Sequence, residues 1–198
     1  ATPGSFQTTY GGAYDIGILK YDSLGKQLLY ASYLGGIANE SPHSLVVDPT
    51  TNDLLVLGTT SSHNFPATIS AYDRTFAGGS NVSNVIQYAN GSDIFVARIS
   101  SNGTQLKAST FFGGTVNDGL NHSFAGLARN YGDELRGDII TDAAGDVYIS
   151  TVTASSDMVL ANSFSTTYLG GATDALLVKF SADLSQQLCG VFLGGTGA

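Results

Sequence analysis

The sequence predicts an all-β protein of short antiparallel strands, and three observations carry that expectation. Of the sixteen acidic residues only Glu40 and Glu134 are glutamate, and aspartate favours turns where glutamate favours helix. Glycine supplies 25 of the 198 residues, roughly double its usual share of about 7%. Three segments of 22 residues (15–36, 93–114 and 174–195) align without a gap, so the chain is internally repetitive.

Each aligned segment opens with an aspartate (Asp15, Asp93, Asp174) and carries a base five residues on (Lys20, Arg98, Lys179). Each closes on an aromatic residue, an apolar residue and Gly-Gly. A second motif follows the first two copies: residues 44–60 match 138–153 with one gap, Asp48 and Asp142 ending one apolar run and Asp53 and Asp146 preceding the next. A third echo precedes the first motif, Ser5-Phe6 to Tyr10-Gly11-Gly12 resembling Ser163-Phe164 to Gly170-Gly171, with 70–79 a looser copy. The pattern divides the chain into units 1–66, 67–158 and 159–198, the last holding no second motif.

Within the first unit, apolar runs predict strands at 16–21, 27–34, 44–47 and 54–59, joined by turns at 22–25 and 48–52 rich in Asp, Gly and Asn, a hairpin signature. Strand 16–21 is apolar on both faces, Ile16 and Ile18 alternating with Leu19 and Tyr21. A strand with one solvated face alternates apolar with polar, so this one is expected to be covered on both sides, as when small sheets stack face to face. Four antiparallel strands per unit stacked in this way make a β-propeller; the alternative is an independent β-sandwich of about ten strands.

The Asp-to-Gly-Gly block, the block around Asp48 and Asp53, and Thr60-Ser61-Ser62-His63-Asn64-Phe65-Pro66 together resemble the bacterial SBBP repeat, a β-propeller repeat. The resemblance covers nearly the whole chain outside two insertions. The second unit departs from it, with Ser156-Asp157-Met158 where Phe-Pro is expected. Such a resemblance implies a propeller within a long exported bacterial protein beside adhesion-type modules, and it implies no defined activity. Two and a half units fall short of the four to eight blades of a closed ring. The chain therefore reads as an incomplete propeller segment, completed by the remainder of a larger polypeptide.

Composition narrows the function classes. A net charge of −8 with eight Lys and Arg offers no electrostatic footprint for nucleic acid or an anionic membrane. No apolar run reaches the roughly 18 residues of a membrane-spanning helix. Cys189 is the lone cysteine, which leaves no disulfide framework and no thiolate metal site. Low charge, acidic pI and abundant Ser, Thr and Gly fit an extracellular or cell-surface protein.

Insertions into repeats mark a working face. Residues 80–92 are extra sequence ahead of the second Asp motif, and 115–137 is a 23-residue segment where the first unit has only the seven residues 37–43. One leads into the first strand of its hairpin and the other leaves the second, so both are expected at the same end of the stack. They hold Tyr88, His122, Arg129, Tyr131, Asp133, Glu134 and Arg136, a polar and aromatic set suited to a glycan or protein partner. The competing reading is a solvated excursion with a turn of helix at 133–136, where i,i+3 pairing is available.

Chemistry of other kinds finds little support. His43, His63 and His122 have no second His or Cys at ligand spacing, and His63 lies in a turn that suits a structural role. The turn aspartates form no D-x-[DN]-x-[DN]-G loop, and each caps its own turn more simply. There is no G-x-S-x-G nucleophile motif, and Asp15, Asp93 and Asp174 recur once per unit as structural residues do. No metal, cofactor or catalytic residue is expected. Ser23, in Asp22-Ser23-Leu24, matches a short O-glycosylation motif of exported bacterial proteins. The sequence thus predicts a non-enzymatic binding or adhesion scaffold; the alternatives are a structural spacer and an accessory module of a secreted hydrolase.

Overall fold

The computed structural model describes residues 1–83, 86–121 and 137–196. Among these residues the protein is all-β, with twelve strands in four antiparallel sheets, none closed into a barrel. A first sheet pairs β1 (Ile16–Tyr21) with β2 (Leu28–Leu34). A middle sheet has the order β3 (Glu40–Val47), β4 (Leu54–Thr60), β7 (Asp93–Ile99), β8 (Leu106–Phe112). A third sheet has the order β9 (Asp138–Thr141), β10 (Val147–Thr153), β11 (Asp174–Phe180), β12 (Gln187–Leu193). The short hairpin of β5 (Val82–Ser83) and β6 (Gln87–Tyr88) stands apart.

The three aligned 22-residue segments fold into three hairpins of the same register. Ile16 lies opposite Leu34, Ile94 opposite Phe112, and Ala175 opposite Leu193, the second and twentieth residues of each segment. Each ladder is broken by a bulge just after its base, at Lys20/Tyr21, Arg98/Ile99 and Lys179/Phe180. The turns that close them need a left-handed residue at one point, met by Gly25 (φ 66°), Gly103 (φ 73°) and, unusually, Leu184 (φ 56°). Glycine adopts that conformation freely, whereas a side chain costs about 1–2 kcal/mol there.

Strand β3 begins at Glu40, four residues earlier than the sequence pattern places it, and contains Pro42 beside a bulge at Pro42/Ser44. Proline removes a ladder donor, but at the edge of a sheet, next to a bulge, that donor is not needed.

The sheets stack in three layers. Ile94 and Val96 of the middle sheet pack with Ile139, Ile149, Leu176 and Val178 of the third. Phe95, Ala97 and Ile99, on the opposite face, pack with Ile16, Ile18 and Leu34 of the first. Strand β7 is consequently buried along its whole length. The expectation that strand 16–21 is covered on both sides fails, because only the middle sheet flanks it and Leu19 and Tyr21 stand exposed. The layers fan: β3 and β9 lie side by side, and no comparable approach joins β8 to β12.

The sheets are offset from the sequence units. Strands β3 and β4 come from residues 1–66 and their sheet partners β7 and β8 from 67–158; β9 and β10 likewise join β11 and β12 of 159–198. A long connection precedes the Asp motif in each case and runs along the outer strand, giving Thr2 N–H to Ala31 O (2.7 Å), Thr68 N–H to Ser109 O (2.9 Å) and Gly190 N–H to Ala161 O (3.0 Å).

Candidate functional site

The loops at one end of the stack converge on two nodes of the same design. In the first, the Asp15 carboxylate accepts from Gly11 N–H (2.7 Å). Glu40 accepts from Gly36 N–H (3.0 Å) and Thr60 Oγ1 (2.7 Å). In the second, Asp93 accepts from Ala77 and Gly78 N–H (2.7 Å each). Its neighbour Asp118 accepts from Gly114 N–H (2.7 Å), Ser155 Oγ (3.0 Å) and Thr153 Oγ1. In the third hairpin Asp174 holds Leu169 N–H (2.7 Å).

The Gly-Gly pair is a consequence of these nodes. A Cβ on Gly113 would stand 2.9 Å from both the Asp93 and Asp118 carboxylates, and one on Gly35 would stand 2.5 Å from Glu40 and 2.7 Å from Asp15. Only glycine lets two acids close over the same backbone. Burial pushes the Asp93 carboxyl up to about 7 and that of Asp118 up to about 6, each acid further raised by a neighbouring aspartate. Glu40 is raised too, by burial first. Buried acids with raised pKa often mark catalytic sites. Here the oxygens of Asp93 and Asp118 are engaged by loop amides and hydroxyls.

Downstream of each node a polar pair secures the next loop. Asn64 Oδ1 accepts from Ile37 N–H (2.9 Å) and Ser62 Oγ from Ala38 N–H (2.8 Å). Asp157 Oδ1 accepts from Thr115 N–H (3.1 Å) and Ser155 Oγ from Val116 N–H (3.0 Å). Ser156-Asp157-Met158 therefore does the work of His63-Asn64-Phe65, with Met158 buried in the core as Phe65 is.

Both insertions are rooted at this end and joined to each other. Asn117 Nδ2 donates to Ser80 O (3.1 Å), its Oδ1 accepts from Ser92 N–H (3.0 Å), and Ser92 Oγ donates to Asp118 O (2.8 Å). Asn90 anchors the first insertion to Ser61, Nδ2 to Ser61 O at 2.8 Å. Val82, Tyr88 and Leu120 form a small core of their own, with Ile86 against it. At its base Thr59 Oγ1 lies 2.9 Å from Tyr88 Oη and 3.2 Å from His43 Nε2. Removal from water lowers the His43 pKa to about 4, so the imidazole is neutral near pH 7.

Of the residues singled out for binding, Tyr88 is 2% exposed; its ring packs the insertion and its hydroxyl meets Thr59, so it supports the loop from within. His122, Arg129, Tyr131, Asp133, Glu134 and Arg136 lie outside the described residues. Ser23 is exposed in the β1–β2 turn beside Asp22, which accepts from Lys26 N–H at 2.7 Å. Sequence reasoning missed Glu40, Asp118 and Asn117. The signal for the two acids was present: each stands four residues after the second glycine of a Gly-Gly pair. Among the described residues no group of three or more His, Cys, Asp or Glu is placed to hold a metal ion.

No protein-family model matches the chain, and no curated protein matches its sequence.

Proposed function

We propose that this chain is a non-enzymatic β-propeller segment of a large secreted or cell-surface bacterial protein. Its insertion-bearing end binds a glycan or protein partner. The observation that supports the reading best is the Asn117 bridge between the two insertions. It anchors both to stacked sheets, the rigid platform on which binding loops work. The fan of layers, close at β3 and β9, favours a propeller over a closed sandwich, because blades converge on an axis. The Asp93–Asp118 node contributes rigidity rather than catalysis on this reading.

The test replaces residues 115–137 by the seven-residue segment 37–43 and measures binding to a glycan array and to surface proteins of the producing bacterium. Loss of binding with an unchanged circular dichroism spectrum supports the reading. Unchanged binding, or no binding by either form, favours a structural spacer.

A further inference from the structure

The first sheet has two strands where the other two have four. In the middle and third sheets the strand aligned with β1 pairs on its far side with the second strand of a hairpin, from Leu54↔Ile99 to Thr60↔Asp93 and from Val147↔Phe180 to Thr153↔Asp174. Among the described residues strand β1 pairs only with β2, which leaves an edge able to template a further strand. Beside that edge lies a cleft of about 600 Å³, lined on one side by β1 and on the other by the first-sheet-facing side of β3 and β4.

The cleft exposes apolar surface that is covered where the stack is complete. Leu45 on β3 is 64% exposed, whereas Ile139, which holds the same place on β9, is 2% exposed beneath the middle sheet. Val47 is likewise exposed.

The cleft also holds a base without its acids. Arg98 and Lys179, the fifth residues after their motif aspartates, each bind two aspartates at the turn of the adjoining hairpin. Arg98 Nη1 lies 2.6 Å from Asp48 and 3.7 Å from Asp53, and Lys179 Nζ lies 3.1 Å from Asp142 and 2.8 Å from Asp146. Lys20 is the third base of this set. Among the described residues it makes no ion pair and donates only to Ser101 O, at 2.8 Å.

We propose that the cleft beside β1 is a docking site for a β-hairpin of the kind formed by residues 44–60: two apolar strands whose connecting turn carries an aspartate at each end. The partner hairpin extends the first sheet by strand addition, covers Leu45 and Val47, and sets its two aspartates on Lys20. Its second strand runs antiparallel to β1, the residue matching Leu54 opposite Tyr21 and that matching Thr60 opposite Asp15. A second copy of this chain is a poor occupant, because both of its own hairpins of this type are held by Arg98 and Lys179. The proposal stands on the sheets and ion pairs, apart from the ligand-binding reading.

The test uses the whole chain. Thr2 meets β2 as Thr68 meets β8, so Ala1 corresponds to Ala67, and residues 40–66 duplicated ahead of Ala1 bring a hairpin to β1 with native spacing. A second fusion carries Asp48→Asn and Asp53→Asn in the duplicated copy alone. Amide hydrogen exchange of residues 16–21 is read in both and in the unfused chain. The aspartate fusion is expected to slow β1 exchange at least about tenfold, and the asparagine fusion to stay within about threefold of the unfused chain. No slowing in the aspartate fusion overturns the site. Equal slowing in both overturns the acidic chemistry assigned to the occupant. Protection of β1 in the unfused chain that rises with its concentration assigns the cleft to a second copy instead.

Discussion

Arg98 Nη1 lies 2.6 Å from Asp48 Oδ2, both side chains almost wholly buried, and Arg98 Nη2 reaches across to Gly145 O of the third sheet at 2.8 Å. One guanidinium thus links a strand of the middle sheet, the turn of its own hairpin and the turn of the sheet behind. Removing Asp48 takes away the nearer of the two carboxylates on this buried cation and leaves it Asp53 at 3.7 Å; breaking a buried pair costs up to about 3–5 kcal/mol, far more than loss of an exposed pair. Asp48→Ala should lower the unfolding free energy read from urea melts accordingly, and Lys107→Ala, whose side chain is 42% exposed with its ammonium on Asp53, by about 1 kcal/mol or less.

The buried acids set a dependence on pH with two opposing arms. The hydrogen bond from Arg98 holds the Asp48 carboxyl down to about 2, below its unfolded value, so its contribution is present above about 4 and fades as pH falls toward 2. Asp93 and Asp118 are raised to about 7 and about 6. The folded state then binds more protons than the unfolded one between about 4 and 7, and stability falls as pH rises through that window. Denaturation by urea across pH should show a maximum near pH 4–5. Asp93→Asn should flatten the alkaline arm while leaving the acid arm in place.

The acid nodes tolerate no side chain between them. Gly113→Ala places a methyl 2.9 Å from two carboxylates and should cost about 1–3 kcal/mol as overpacking. Gly195, with open space around its Cβ position, should accept alanine with a change of less than about 0.5 kcal/mol. Thermal melts of the two variants side by side check the contrast.

Leu184 offers a test of strain against burial. It sits at φ 56° where the other two hairpins have glycine, yet it is fully buried against the third-sheet core. Leu184→Gly relieves about 1–2 kcal/mol of backbone strain and removes a side chain whose loss costs about 2–5 kcal/mol with its cavity. Burial should win, and the variant should unfold at lower denaturant than the parent.

Much of this architecture was legible from residues alone. Apolar runs between Asp and Gly turns located β1, β2 and β4 to within a residue, because strand and turn preferences are local. The offset between units and sheets was not legible. The partner of β4 is β7, reached only after the connection 61–92, and nothing in a local pattern records which distant edge a strand will choose. Tyr88 was singled out as a binding residue because aromatic side chains in loops often serve binding; its burial depends on Leu120 and Thr59, which come from other parts of the chain. Asp15, Asp93 and Asp174 stood out in the sequence by their recurrence, but the second acid of each node sits on the far side of the glycines, where only the fold brings the pair together.

The offset of sheets from units alters how the chain can come apart. Like bricks laid in staggered courses, consecutive units share every wall: β4 and β7 are zipped together from Leu54↔Ile99 to Thr60↔Asp93, and β10 and β11 from Val147↔Phe180 to Thr153↔Asp174. A protease that nicks the 67–79 connection cuts the covalent thread between two units without parting them, since the fragments remain joined edge to edge along a full strand.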